Sequence, residues 1–153
     1  MTWQIGWDDI TIPITMQSLV VLSMNQIFPK HLGWLSTLLW LVLAAFGMPL
    51  LADGVGGINW VNGKSVGYLL GFMISAVLIN TNIILKKSNR KYWMLACEQL
   101  LGTVIILVCG FILLSFHIGF NRAFQFGVVP FVMGGIVKIL IGSLIVIMIL
   151  DRK

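Results

Sequence analysis

Lys138 stands inside an otherwise apolar run, Val128 to Leu150. An ionisable group at membrane depth marks a functional site by default. It lies about ten residues into the run, roughly 15 Å of helix from the nearer end. An ammonium held there costs about 2.5–3.5 kcal/mol on insertion scales. A carboxylate ligand, Asp53 or water in a cavity would offset that cost. The plainer alternative is a lysine satisfied by backbone carbonyls or reaching an interface. Glu98, beside Gln99, sits near the start of another run, Trp93 to Phe116. The basic stretch Lys86 to Lys91 is close enough to pair with it. An interfacial salt bridge is the plain reading, and proton coupling the sharper one.

Little else carries reaction chemistry. His31 and His117 fall at opposite membrane faces and cannot share a metal. No paired carboxylates, no Ser-His-Asp set and no Cys-His set can form without crossing a bilayer. The chain is therefore expected to hold no catalytic residue, metal or cofactor, and not to be an enzyme. Cys97 and Cys109 lie on one run, about 18 Å apart along a helix. A disulfide needs Cα atoms about 4.4–6.8 Å apart, so both read as packing residues. The segment LADGVGGINWVNGKS, Leu51 to Ser65, is rich in Gly and Asn. Its backbone can turn tightly and offer amides to a small ligand. It is expected to share one membrane face with Thr15, Gln17 and the mouth above Lys138.

The elements that would position these residues follow from composition. Of 153 residues, 59% are hydrophobic and 10% charged. Soluble domains carry about 25% charge, and so few charges cannot coat a body of this size. The composition excludes an ordinary soluble domain, a disordered chain and an ordinary nucleic-acid-binding domain, so no nucleic-acid partner is expected. The chain reads as an all-α integral membrane protein in a lipid bilayer, a single domain over 1–153. Its five transmembrane segments are Ile14 to Phe28, Leu32 to Leu51, Val66 to Leu85, Trp93 to Phe116 and Val128 to Leu150. A spanning helix needs about 20 residues. The first segment is short unless it extends back through Ile10, with Pro13 in its first turn. The runs are continuous, without the alternation of a membrane barrel.

The net charge of +5 reflects topology. Lys30, Lys86, Lys87, Arg90, Lys91, Arg152 and Lys153 share one side, against Lys64 and Arg122 on the other. Basic residues collect in cytoplasmic loops, which puts the C-terminus inside and the N-terminus outside. Residues 1–12 contain no signal peptide. They look instead like the entry to a six-helix protein lacking its first helix. Trp3, Trp7, Trp34, Trp60 and Trp93 lie at segment ends, where indoles anchor at the interface. Gly63, Gly67, Gly71 and Ser75 recur every fourth residue and form a ridge for close helix packing, which could also dock a partner helix.

Four stretches in order carry a family resemblance: IPITMQSL at 12–19, GMPLLADGVGG at 47–57, SVGYLLGF at 65–72 and GVVPFVMGGIVK at 127–138. Together they resemble the biotin-specific S components (BioY) of energy-coupling-factor transporters. The resemblance runs from Ile12 onward. It implies a six-helix fold, here minus helix 1, that captures biotin near the outer face. It also implies a transmembrane coupling subunit and two ATPase subunits as partners. The family lysine falls on Lys138, but Gly135 stands where a pocket aspartate is expected, and Val55 occupies a loop position often polar. Asp53, where glycine is usual, would supply the lost carboxylate.

The expected substrate-binding residues are Lys138, Asp53, Asn59, Tyr68, Gln17 and Thr15. Tyr68 and Trp60 would form wall, and the polar groups would hydrogen-bond the ureido ring or carboxylate. The leading expectation is a plasma-membrane subunit capturing biotin for uptake. The alternatives are an S component for another small vitamin and a membrane scaffold that binds no solute.

Overall fold

The computed structural model describes residues 3–7, 10–14, 16–28, 31–51, 54, 56–57, 63–80 and 92–150. Two strands come first, β1 (Trp3–Trp7) and β2 (Ile10–Ile14). They pair antiparallel, from Trp3 opposite Ile14 to Trp7 opposite Ile10. Six helices follow: α1 (Gln17–Ile27), α2 (Leu32–Ala45), α3 (Val66–Asn80), α4 (Tyr92–Ile118), α5 (Phe120–Gly127) and α6 (Val129–Leu150). The five expected apolar segments correspond to α1–α4 and α6, and the membrane architecture is all-helical. The hairpin and α5 are additions outside it.

Three boundaries differ from expectation. The first helix does not extend back through Ile10, because Ile10–Ile14 is strand. β-branched residues at 10, 11, 12 and 14 favour extended backbone, and Pro13 has no N–H to give a helix. The second helix ends at Ala45, six residues before Leu51. The chain leaves it through Gly47 at φ +100° and Pro49, and neither residue continues a helix. The stretch 117–127, left between the fourth and fifth expected segments, contains α5. Gly119, at φ +84°, makes the break between α4 and α5.

Length separates two classes of helix. α4 and α6 have 27 and 22 residues, about 40 and 33 Å at 1.5 Å per residue. Both exceed a hydrocarbon core of about 30 Å. α1, α2 and α3 have 11, 14 and 15 described residues, or about 16–22 Å.

Among the described residues, α3 and α4 share the most extensive helix contact. A Cβ built on Gly67 would lie 2.6 Å from the Cys109 carbonyl oxygen, and one on Gly71 would lie 2.7 Å from Ile106 Cα. The small-residue ridge is thus occupied within the chain. Backbones that approach this closely gain dispersion contacts, which drive helix association where lipid removes the hydrophobic term. Val21, Leu22, Tyr68, Leu69, Phe72, Ile79 and Ile106 form the main core. Cys97 and Cys109 are both free, on one continuous helix as expected.

Candidate ligand-binding site

Lys138 sits on α6, half-buried, with Nζ 3.5 Å from Ser18 Oγ on α1. α1 and α6 pack side by side, so this contact joins the first turn of one helix to the middle of the other. Residues four and three apart share a helix face, which puts Phe131, Gly135, Lys138 and Gly142 in one line along α6. Each has a defined neighbour. Phe131 stacks on Tyr68 with ring centroids 5.5 Å apart. A Cβ on Gly135 would meet only Thr103 Cγ2, at 3.6 Å, and one on Gly134 would meet nothing within 4 Å. A Cβ on Gly142 would lie 2.5 Å from Gln99 Oε1.

The line therefore has a closed end at Gln99 and Gly142, an aromatic end at Tyr68 and Phe131, and small residues beside Lys138. Phe131 and Lys138 are two turns apart, about 10 Å. Thr103 and Gln99 supply the facing surface of α4, linked by a Thr103 hydroxyl that donates to the Gln99 carbonyl at 2.8 Å.

Non-helical backbone after α2 lies against α1 and α2. The carbonyl of Leu50 accepts from Gln17 Nε2 at 3.4 Å and from Trp40 Nε1 at 3.2 Å. The loop after α2 turns back on that helix: Gly57 N–H donates to Ala44 carbonyl at 2.8 Å and Met48 N–H to Leu43 carbonyl at 3.2 Å. Backbone outside a helix is tolerated at membrane depth only where protein or a cavity satisfies it. The early end of α2 thus brings the backbone that follows it against the start of α1, where Leu50 meets Gln17, the neighbour of Ser18.

Of the six expected site residues, Lys138 and Gln17 come near each other through Ser18, the neighbour of Gln17, while the Gln17 amide itself donates to the Leu50 carbonyl. Tyr68 lies at the aromatic end, buried, and its hydroxyl donates to the Gly127 carbonyl at 2.8 Å. Its ring fills the space a side chain would take at Gly110. Thr15, Asp53 and Asn59 lie outside the described residues, as do Val55 and Trp60. Ser18 and Phe131 were missed. Ser18 was within reach, because it adjoins Gln17 in the same motif.

Glu98 is buried. It is 1% exposed and accepts from Gln26 Nε2 at 3.0 Å. The same amide nitrogen donates to Leu95 carbonyl at 2.9 Å, while Gln99 Nε2 donates to Gln26 Oε1 at 3.0 Å. This polar cluster ties α1 to α4 beyond the closed end. The basic stretch 86–91 lies outside the described residues. No three His, Cys, Asp or Glu converge as a metal site among the described residues.

Residues 3–152 match the model of the BioY family. The chain is 32% identical over 127 residues to the "Probable biotin transporter BioY" of Pyrococcus horikoshii, covering 83% of this chain and 74% of that one. It is 30% identical over 135 residues to the "Biotin transporter BioY" of Thermotoga maritima, covering 88% and 78%. Its fold matches the crystal structure of an "S-component for biotin from an ECF-type ABC transporter" with a TM-score of 0.81 at 24% identity. That match covers 98% of this chain and 81% of the other.

Proposed function

We propose that this chain, which belongs to the BioY family, is a multi-pass plasma-membrane subunit that binds biotin for uptake and performs no catalysis itself. The observation that carries this reading is Lys138: a cation on the middle of a long apolar helix, one turn from Gly134 and Gly135 and in contact with Ser18. Biotin offers an apolar bicycle, a ureido group and a carboxylate. A pocket with aromatic wall and a few placed polar groups suits such a ligand. Tyr68 and Phe131 would supply wall, Lys138 an anion or oxygen partner, and Gln17 and Ser18 hydrogen bonds. Thr15, Asp53 and Asn59 complete the proposed set by their place in the sequence, two residues before Gln17 or in the segment that follows Leu51.

The distribution of basic residues supports a C-terminus inside and an N-terminus outside, which sets the start of α1, with Gln17 and Ser18, toward the outer face. Uptake would then draw on a transmembrane coupling subunit and ATPase subunits. Titration of the purified protein with biotin, thiamine and riboflavin tests the reading. Saturable binding of biotin alone is expected. Binding of thiamine or riboflavin instead would assign another vitamin, and binding of none would leave a scaffold.

A further inference from the structure

α5 is built in three sectors. At about 100° per residue, Ala123, Phe126 and Gly127 point one way, Phe120 and Phe124 about 90° round, and Asn121, Gln125 and Arg122 beyond them. The first sector is the protein side: Ala123 packs with Leu114, and Phe126 joins the same cluster. The second is apolar yet open, with Phe120 67% and Phe124 50% exposed. The third is polar and exposed.

The aromatic sector has a direction. Phe111 meets Phe120 edge-on at 5.1 Å and Phe124 at 6.3 Å. Phe111 lies seven residues before Ile118, about 10 Å back along α4. Both α5 rings therefore point back down α4, toward the hydrocarbon that this helix crosses. They also lie above an apolar exposed stripe of α4, Val104 and Val108, which shares the Phe111 side of that helix to within about 60°. The polar sector, with Arg122, faces away from that stripe.

The geometry points to α5 as an interfacial helix whose partner is the lipid at the Ile118 end of α4, with Phe120 and Phe124 among acyl chains and Arg122 at the phosphate level. A helix with protein on one side, apolar rings below and cationic polar residues above matches the partition of an in-plane amphipathic segment. A second protein on the aromatic sector would have to enter along the bilayer beside α4, and the continuity of this sector with the α4 stripe favours acyl chains there. This inference stands independently of biotin binding.

Spin labels placed singly at Asn121→Cys, Phe124→Cys and Gln125→Cys, on a background with Cys97→Ala and Cys109→Ala, test it in phosphatidylcholine–phosphatidylglycerol vesicles. The label at 124 should be relaxed more by oxygen than by a water-soluble nickel chelate, and those at 121 and 125 the reverse. Adding Arg122→Gln should shift the label at 124 toward nickel access. Equal nickel access at all three positions, or shielding of 124 from both agents as under a protein partner, would overturn the proposal. The unaltered protein gives a second measurement with a lipid carrying a photoreactive acyl chain. Adducts on Phe120 and Phe124 are expected, whereas adducts on the α4 stripe with none on α5 would also overturn it.

Discussion

Tyr68 at the start of α3 and Gly127 at the end of α5 are joined by a hydroxyl-to-carbonyl hydrogen bond of 2.8 Å. The bond closes the aromatic end of the Lys138 line, so Tyr68 holds three helices while its ring faces Phe131. Tyr68→Phe keeps the ring and leaves a buried carbonyl unpaired. Thermal unfolding should show a loss of about 1–3 kcal/mol, with biotin affinity nearly unchanged. Tyr68→Ala should lose both stability and affinity. A large affinity loss in Tyr68→Phe alone would mean that the hydroxyl serves the ligand.

Lys138→Ala should weaken biotin binding at least tenfold by calorimetry, since truncating one partner of a buried charged pair costs about 2–5 kcal/mol. Lys138→Arg should be intermediate, because its planar fork cannot replace a point charge of the same reach. Unchanged affinity in Lys138→Ala would remove this residue from the site.

Gly135→Asp should fold normally, because its Cβ meets only Thr103 Cγ2 at 3.6 Å. It would set a carboxylate one turn from Lys138. If Asp53 makes up for the missing acid, Asp53→Asn should weaken biotin binding in the native chain and do so less beside Gly135→Asp. Additive effects of the two changes in a double-mutant cycle would show that they do not share a role.

Gly71→Ala should destabilise the protein by about 1–3 kcal/mol, the usual cost of overpacking. Its added carbon would lie 2.7 Å from Ile106 Cα, where backbone cannot yield as a flexible side chain would. The melting temperature of the detergent-solubilised protein reads this directly.

Gln26→Leu removes the donor to Glu98 and to the Leu95 carbonyl at once. It should cost about 1–3 kcal/mol or more, whereas Glu98→Gln keeps an acceptor and should cost less. A melting temperature of Gln26→Leu equal to that of the unaltered protein would show that the cluster adds nothing to stability.

The sequence made the long helices legible because each is a continuous apolar run bounded by charge, and it made Lys138 legible because a cation there has no ordinary reason. The early end of α2 was hidden: Gly47 and Pro49 sit inside an apolar stretch that hydropathy alone extends to Leu51. The hairpin was hidden by its shortness, and by residues that suit either a strand or the entry of a helix. α5 alternates polar and aromatic residues over only eight positions, so it reads as a connector until Gly119 folds it back on α4. The Gln26–Gln99–Glu98 cluster depends on two helices meeting from more than seventy residues apart, which no local pattern encodes. The family motifs picked out Lys138, Gln17 and Tyr68. They did not reveal that Tyr68 spends its hydroxyl on the fold.

The backbone contact of Gly67 and Gly71 with α4 has a mechanical meaning. Helices separated by long side chains can slide as rotamers readjust. Here the two main chains meet with almost nothing between them to readjust, so α3 and α4 should travel as one plank. Any rearrangement on ligand binding would then fall at the opposite wall, where α1 meets α6 through the Ser18–Lys138 contact. Labels spanning α3 and α4 should keep a fixed distance with and without biotin, while those spanning α1 and α6 should not.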